Sequence, residues 1–223
     1  MNWVEKSISA SKKLRTHYKM KNIDIYIKDM LPDNINPDVV FGYISKRVPK
    51  HLLSQVDIIY VGQFDEFKET DTNAMYNDGA IYVTNEQDNI EDMIDDVIHE
   101  IAHSVEEKYY DHIYGDQLLK KEFLGKRQRL YSVLHANDYK PYKKVKNTFN
   151  YDEEIDMYFY SDVGYDNMWY LVVGLFPSPY AATSIREYFA VGFEHYYLKD
   201  RSQLKKECPF LYNKLAEIEF PED

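Results

Sequence analysis

From Asn89 to Val105, apolar residues return every three or four positions: Ile90, Met93, Ile94, Val97, Ile101 and Val105. That spacing predicts one long helix with a continuous buried face, because residues three and four apart stack on one side of an α-helix. Asn89 is placed to cap its start, and Glu91 and Asp92 suit the positive end of the helix dipole. A fold for this chain must therefore seat one side of the helix in a core and leave the other side polar. The polar side carries His99-Glu100-Ile101-Ala102-His103. Two histidines four residues apart lie on one face about one turn apart, so both imidazoles can reach one zinc ion at roughly 2.0–2.1 Å. Glu100, at the edge of that face, can reach a metal-bound water without ligating the metal, which is the position of a general base.

A catalytic zinc takes three protein ligands and keeps one position open. A metzincin would continue with a glycine and then a third histidine, but Glu106 and Tyr109 stand at those two places. The third ligand is therefore sought further along, among Glu153, Glu154, Glu187 and Glu194. Glu153 and Glu154 belong to an acidic run, YDEEID, that reads as a solvated face. Glu187 lies in the apolar helical stretch TSIREYFAVGFEHYYL, where a carboxylate needs a partner. A metal is one such partner, and the capping box that Ser184 and Glu187 would form is another. Glu194, two turns on along the same face, fits an alternative ligand, a carboxylate that orients a ligand histidine, or a salt bridge.

The rest of the chain predicts an α+β domain. A helix is expected over Trp3–Lys21 and strands over Ile23–Ile27, Val56–Val61 and Ala80–Thr84. Pro37–Lys46 reads as a short helix with proline in its first turn, and Asp78-Gly79 as the turn of a hairpin spanning Ala74–Thr84. Further helices are expected over Gln117–Leu134, Thr183–Lys199 and Cys208–Ile218, with a polar, lysine-rich excursion over Ala136–Asp152. No composition shift marks a linker. The expectation is one domain over 1–223, with an N-terminal α/β part over 1–55 and a core over 56–223 that carries an insertion near 117–150.

Composition narrows the function. With 44% hydrophobic and 29% charged residues among 223, the chain is too apolar for a disordered class and long enough to bury about 70% of its unfolded surface. Lys and Arg number 27 against 38 Asp and Glu, a formal charge of −11, the wrong sign for a nucleic-acid binder. The longest apolar run, Leu171–Phe176, is far below the roughly 20 residues that cross a bilayer. Cys208 is the single cysteine, so no intrachain disulfide forms. The first residues show no apolar h-region, which predicts no Sec-type signal peptide. A cytoplasmic protein is expected, or one associated with a phage or toxin by another route.

The two motifs together resemble a known family. HEIAH, followed by Tyr180-Ala181 and by Glu187-Tyr188-Phe189-Ala190, is similar to the lethal-factor-like gluzincins, which include the anthrax lethal factor catalytic domain and the bacterial Pro-Pro endopeptidases. The family pairs HExxH with a downstream Y-A-x5-E-[FY]-F-A segment, and here Tyr180 stands seven residues before Glu187. The resemblance implies a zincin-like metalloprotease domain: a small mixed sheet, an active-site helix and a mostly helical C-terminal part. It implies that His99, His103 and Glu187 bind one zinc ion per chain, that Glu100 is the base and that Tyr180 donates to the transition-state oxyanion. It also implies that Ala80, Ile81, Tyr82 and Val83 form the edge strand along which a peptide substrate pairs.

The expected activity is a zinc-dependent metalloendopeptidase acting on a protein or peptide through a Glu-activated, zinc-bound water. The alternative is a catalytically silent zincin-fold module with a binding or structural role, in a phage particle or as a toxin fragment. Physiological substrate, cleavage preference and oligomeric state are left open by the sequence.

Overall fold

The computed structural model describes residues 16–70 and 72–221. It is an α+β structure of two compact units that divide between Ser104 and Val105. The first unit holds a five-stranded mixed sheet: β1 His17–Met20, β2 Ile23–Ile27, β3 Ile58–Val61, β4 Ala74–Asn77 and β5 Ala80–Val83. Its helices are α1 Pro37–Arg47, α2 Asp65–Thr70 and most of α3 Ile90–Lys108. The strand order is β1-β2-β3-β5-β4, parallel at β2–β3 and β3–β5 and antiparallel at both ends.

Alternation along the strands sorts the two faces of the sheet. Ile25, Ile59 and Ile81 stand side by side in register and are fully buried. One residue on, Tyr26, Tyr60 and Tyr82 line the opposite face, and His17 extends the row onto β1. These four rings stack in sequence at 4.7, 6.1 and 5.4 Å between centroids. Neighbouring aromatic pairs of this kind stabilise a sheet by roughly 0.2–1 kcal/mol each. Three of the chain's 22 tyrosines stand in this ladder.

Two sequence expectations change here. Residues 3–15 of the expected first helix lie outside the described residues, but its last turns are not helical: His17–Met20 is a strand. Tyr18 and Met20 alternate inward, Lys21 takes the left-handed conformation (φ 55°), and the backbone of β2 provides an antiparallel partner. A ladder with a buried face outweighs the modest helix propensity of four residues. The second correction concerns Ala80, Ile81, Tyr82 and Val83, which do not form an edge. Asp78 and Gly79 both have positive φ (43° and 84°), the backbone of a tight two-residue hairpin turn. That turn folds Ala74–Asn77 back against Ala80–Val83, so β5 is flanked on both sides and, among the described residues, β4 is the outer strand.

The second unit is helical: the end of α3, then α4 Tyr110–Tyr114, α5 Leu118–Ala136, α6 Glu153–Met157, α7 Tyr165–Leu171, α8 Ile185–Leu198, α9 Arg201–Glu207 and α10 Pro209–Glu219. A π-helical segment, Tyr158–Val163, joins α6 to α7. Within it α5 buries Leu119, Phe123, Leu130 and Leu134 together with the charged Lys126 and Arg127, and Glu122 is half-buried beside them. The Glu122 carboxylate accepts from the Tyr188 hydroxyl (2.9 Å) and from the first backbone amides of α10, Phe210 (2.9 Å) and Leu211 (3.1 Å). Lys126 donates to the carbonyls of Leu175 (2.5 Å) and Glu207 (2.7 Å). Arg127, with no exposed surface, donates to the carbonyls of Val145 (2.5 Å), Ala182 and Thr183 (3.4 Å). The stretch expected to be an insertion thus supplies the groups that hold α8 and α10. No helix among the described residues is long and apolar enough to cross a membrane.

Candidate metal centre

Helix α3 forms as its sequence spacing dictates. The Asn89 side chain accepts from the amide of Asp92 (2.9 Å), which satisfies one of the orphan donors of the first turn. Met93, Val97, Ile98, Ile101 and Ala102 are wholly buried. His99 and His103 fall on the other side and are partly exposed. Their rings are 4.9 Å apart between centroids and inclined at 76°, so the two imidazoles converge on a shared space without stacking. Glu100 is buried to 7% exposure.

Glu187 stands in the first turn of α8. Ser184 caps that helix, with its hydroxyl accepting from the Glu187 amide (3.2 Å). The amide of Ile185 bonds the Phe149 carbonyl (2.8 Å), which ties the helix start to the preceding loop. The cap uses the Glu187 backbone, and its carboxylate joins the two histidines: His99, His103 and Glu187 each offer one ligand atom, and these lie within 4.8 Å of one another. Two imidazoles and one carboxylate are the donor set of a His₂Glu zinc site, so the residues present fit that metal.

This grouping selects among the four glutamates that spacing left open. Glu153 and Glu154 begin α6, where Asp152 caps the Ile155 amide (3.1 Å) and Lys144 pairs with Asp152 (2.7 Å) and with Glu154. Glu194 lies in α8, partly exposed and outside the group. Next to it, His195 accepts from the Lys199 ammonium (3.3 Å), and burial with that neighbouring charge pulls its pKa down to about 4. His195 is therefore neutral at pH 7.

Tyr180 opens a short 3-10 turn, Tyr180–Ala182, and is 44% exposed. The turn is anchored at three points. Thr183 donates its hydroxyl to the Tyr180 carbonyl (2.8 Å), the Ser178 hydroxyl receives the Ala181 amide (3.2 Å), and Arg127 holds the Ala182 and Thr183 carbonyls.

Several residues around Glu187 carried no sequence signal. Glu106 is buried at 3% exposure and accepts from the Tyr114 hydroxyl (2.6 Å) and from Arg186 Nε (2.9 Å). Burial, with the Glu106 charge beside it, holds the Tyr114 phenol far above its ordinary value, so it remains a donor. Tyr165 and Tyr151 both donate to Asp156, at 3.3 and 3.2 Å. Burial raises the Tyr165 phenol, with smaller contributions from Asp156 and then from the Glu187 carboxylate, which places that ring within electrostatic reach of Glu187. Among 22 tyrosines, spacing alone marks neither Tyr114 nor Tyr165.

No protein-family model, curated protein or solved structure matches the chain.

Proposed function

We propose that this protein is a zinc-dependent metalloendopeptidase of the lethal-factor-like gluzincin type, with a zincin-like fold. The observation that carries the reading is the His99, His103 and Glu187 group, two of whose members flank Glu100 within one helix. A zinc ion held there would lower the pKa of a water ligand to about 7 and polarise a peptide carbonyl.

The chain's own residues divide the remaining work. Glu100 takes the proton of the attacking water and delivers it to the amine that leaves. The Tyr180 hydroxyl donates to the oxygen that gains negative charge as the carbonyl carbon becomes tetrahedral. The anchored turn fixes the backbone that carries that donor. An extended substrate would pair its backbone with β4, Ala74–Asn77, because β4 and not β5 is the outer strand at that end of the sheet among the described residues.

Hydrolysis of an internally quenched peptide library should disappear when the full chain is stripped with a strong chelator, and should return when about one equivalent of zinc is added. A zinc-loaded protein that cleaves no member of the library would favour the silent binding module. Cleavage that persists without metal would contradict the reading outright.

A further inference from the structure

Glu106 sits three residues beyond His103 and seven beyond His99, on the face of α3 that bears both histidines. Its carboxylate is nevertheless buried, and burying a charge is costly unless it is hydrogen-bonded. Both oxygens are used: Oε1 accepts from Tyr114 and Oε2 from Arg186. The arginine side chain is 62% exposed while the carboxylate side is 4% exposed. An exposed pair of this kind contributes little, because both partners lose entropy to hold one geometry. Here the acceptor is already fixed by burial and by Tyr114, so the charge-assisted bond orders only the arginine. That arginine immediately precedes Glu187, in the first turn of α8.

We propose that Glu106, oriented by Tyr114, is a positioning residue that acts through Arg186 to hold the start of α8 where Glu187 can serve as the third metal ligand. The inference rests on His99, His103 and Glu187 being a zinc site. Without the tie, one of the bonds that hold the start of α8, beside the Ser184 cap and the Ile185–Phe149 bond, is gone, and binding metal must then restrict the first turn of α8 further. Loss of an outer partner of a metal ligand typically weakens metal binding by about 10–100-fold.

The test is zinc affinity of the full chain, measured by competition with a chromogenic chelator, together with the visible spectrum of the cobalt-substituted protein. Glu106→Gln, Arg186→Gln and the double variant are compared with wild type. Arg201→Gln serves as a control, since it breaks an ion pair of Arg201 with Glu219 in the same unit (2.9 and 3.0 Å). Each single variant should bind zinc about 10–100-fold more weakly and alter the cobalt spectrum. The double variant should be no worse than the weaker single, because both remove one tie. Arg186→Lys should recover part of the loss, and the control should bind as wild type does. If Glu106→Gln does not fold, Arg186→Gln, on an exposed side chain, still decides. Wild-type affinity in both single variants, independent effects that multiply in the double, or an equal loss in the control would each overturn the proposal while leaving the zinc site standing. A wild-type protein that binds no zinc removes the site itself, and the positioning role with it.

Discussion

Glu100→Gln is expected to lower peptide hydrolysis by about 10²–10⁴-fold while zinc content stays at one ion per chain. The carboxamide has nearly the shape of the carboxylate, so a side chain that is only 7% exposed keeps its packing in α3. Under the proposed mechanism, what it loses is the ability to accept a proton from water and release it to the leaving amine. Neither histidine can take over that duty while its ring nitrogen is bound to metal. The variant therefore separates metal binding from chemistry, with kcat/KM and elemental analysis read on one preparation. Full turnover in Glu100→Gln would move the base to another residue. Loss of zinc would instead show that Glu100 supports the site's structure.

The second large effect is on stability. Arg127→Met is expected to cost about 3 kcal/mol, read as a lower denaturant midpoint with an unchanged slope. Two terms compete. Burying a guanidinium is unfavourable: one of its nitrogens, Nη2, has no hydrogen-bond partner among the described residues, and burial pulls its pKa down to about 10. Against that stand the bonds to the carbonyls of Val145, Ala182 and Thr183, which methionine would leave with a buried polar group to satisfy. Unsatisfied buried acceptors cost about 1–3 kcal/mol each, so the carbonyls outweigh the relief of desolvation. Arg127→Lys cannot reach several carbonyls with one ammonium and should fall between wild type and methionine. A methionine variant as stable as wild type would mean that desolvation dominates at this position.

The contrast between these two sites shows what a sequence can reveal. Glu100 and its flanking histidines were legible because helix periodicity converts spacing directly into placement. The Asp78-Gly79 turn was legible for a similar reason, since two consecutive residues of positive φ have a narrow composition. Arg127, Lys126 and Glu122 were not. Apart from the Tyr188 hydroxyl on Glu122, their partners are backbone carbonyls and amides from distant parts of the second unit, and a backbone group leaves no mark in composition. A basic helix with an inward-facing charged row therefore reads as a solvated one.

The same limit explains the corrections in the sheet. Alternation identified Ala80–Val83 as a strand but carries no information on which neighbour covers it, so the edge passed to Ala74–Asn77. His17–Met20 is too short to outweigh a helical prefix on local pattern, and its strand conformation comes from pairing with β2. At the metal group, spacing offered two histidines and four glutamates for a third ligand, the family resemblance pointed to Glu187, and the folded chain groups Glu187 with the two histidines. Glu106 occupies the place where one related pattern has glycine, and its use as a buried acceptor depends on Tyr114 and Arg186 arriving from two other helices.

Zinc content tests the central claim most directly, measured by elemental analysis of the tag-free wild type beside Glu187→Ala, with circular dichroism to confirm that both are folded. One zinc per wild-type chain, falling sharply in Glu187→Ala, is the result the three-residue site predicts. A wild type that takes up no zinc after reconstitution, or a Glu187→Ala variant that keeps its full zinc, would contradict it.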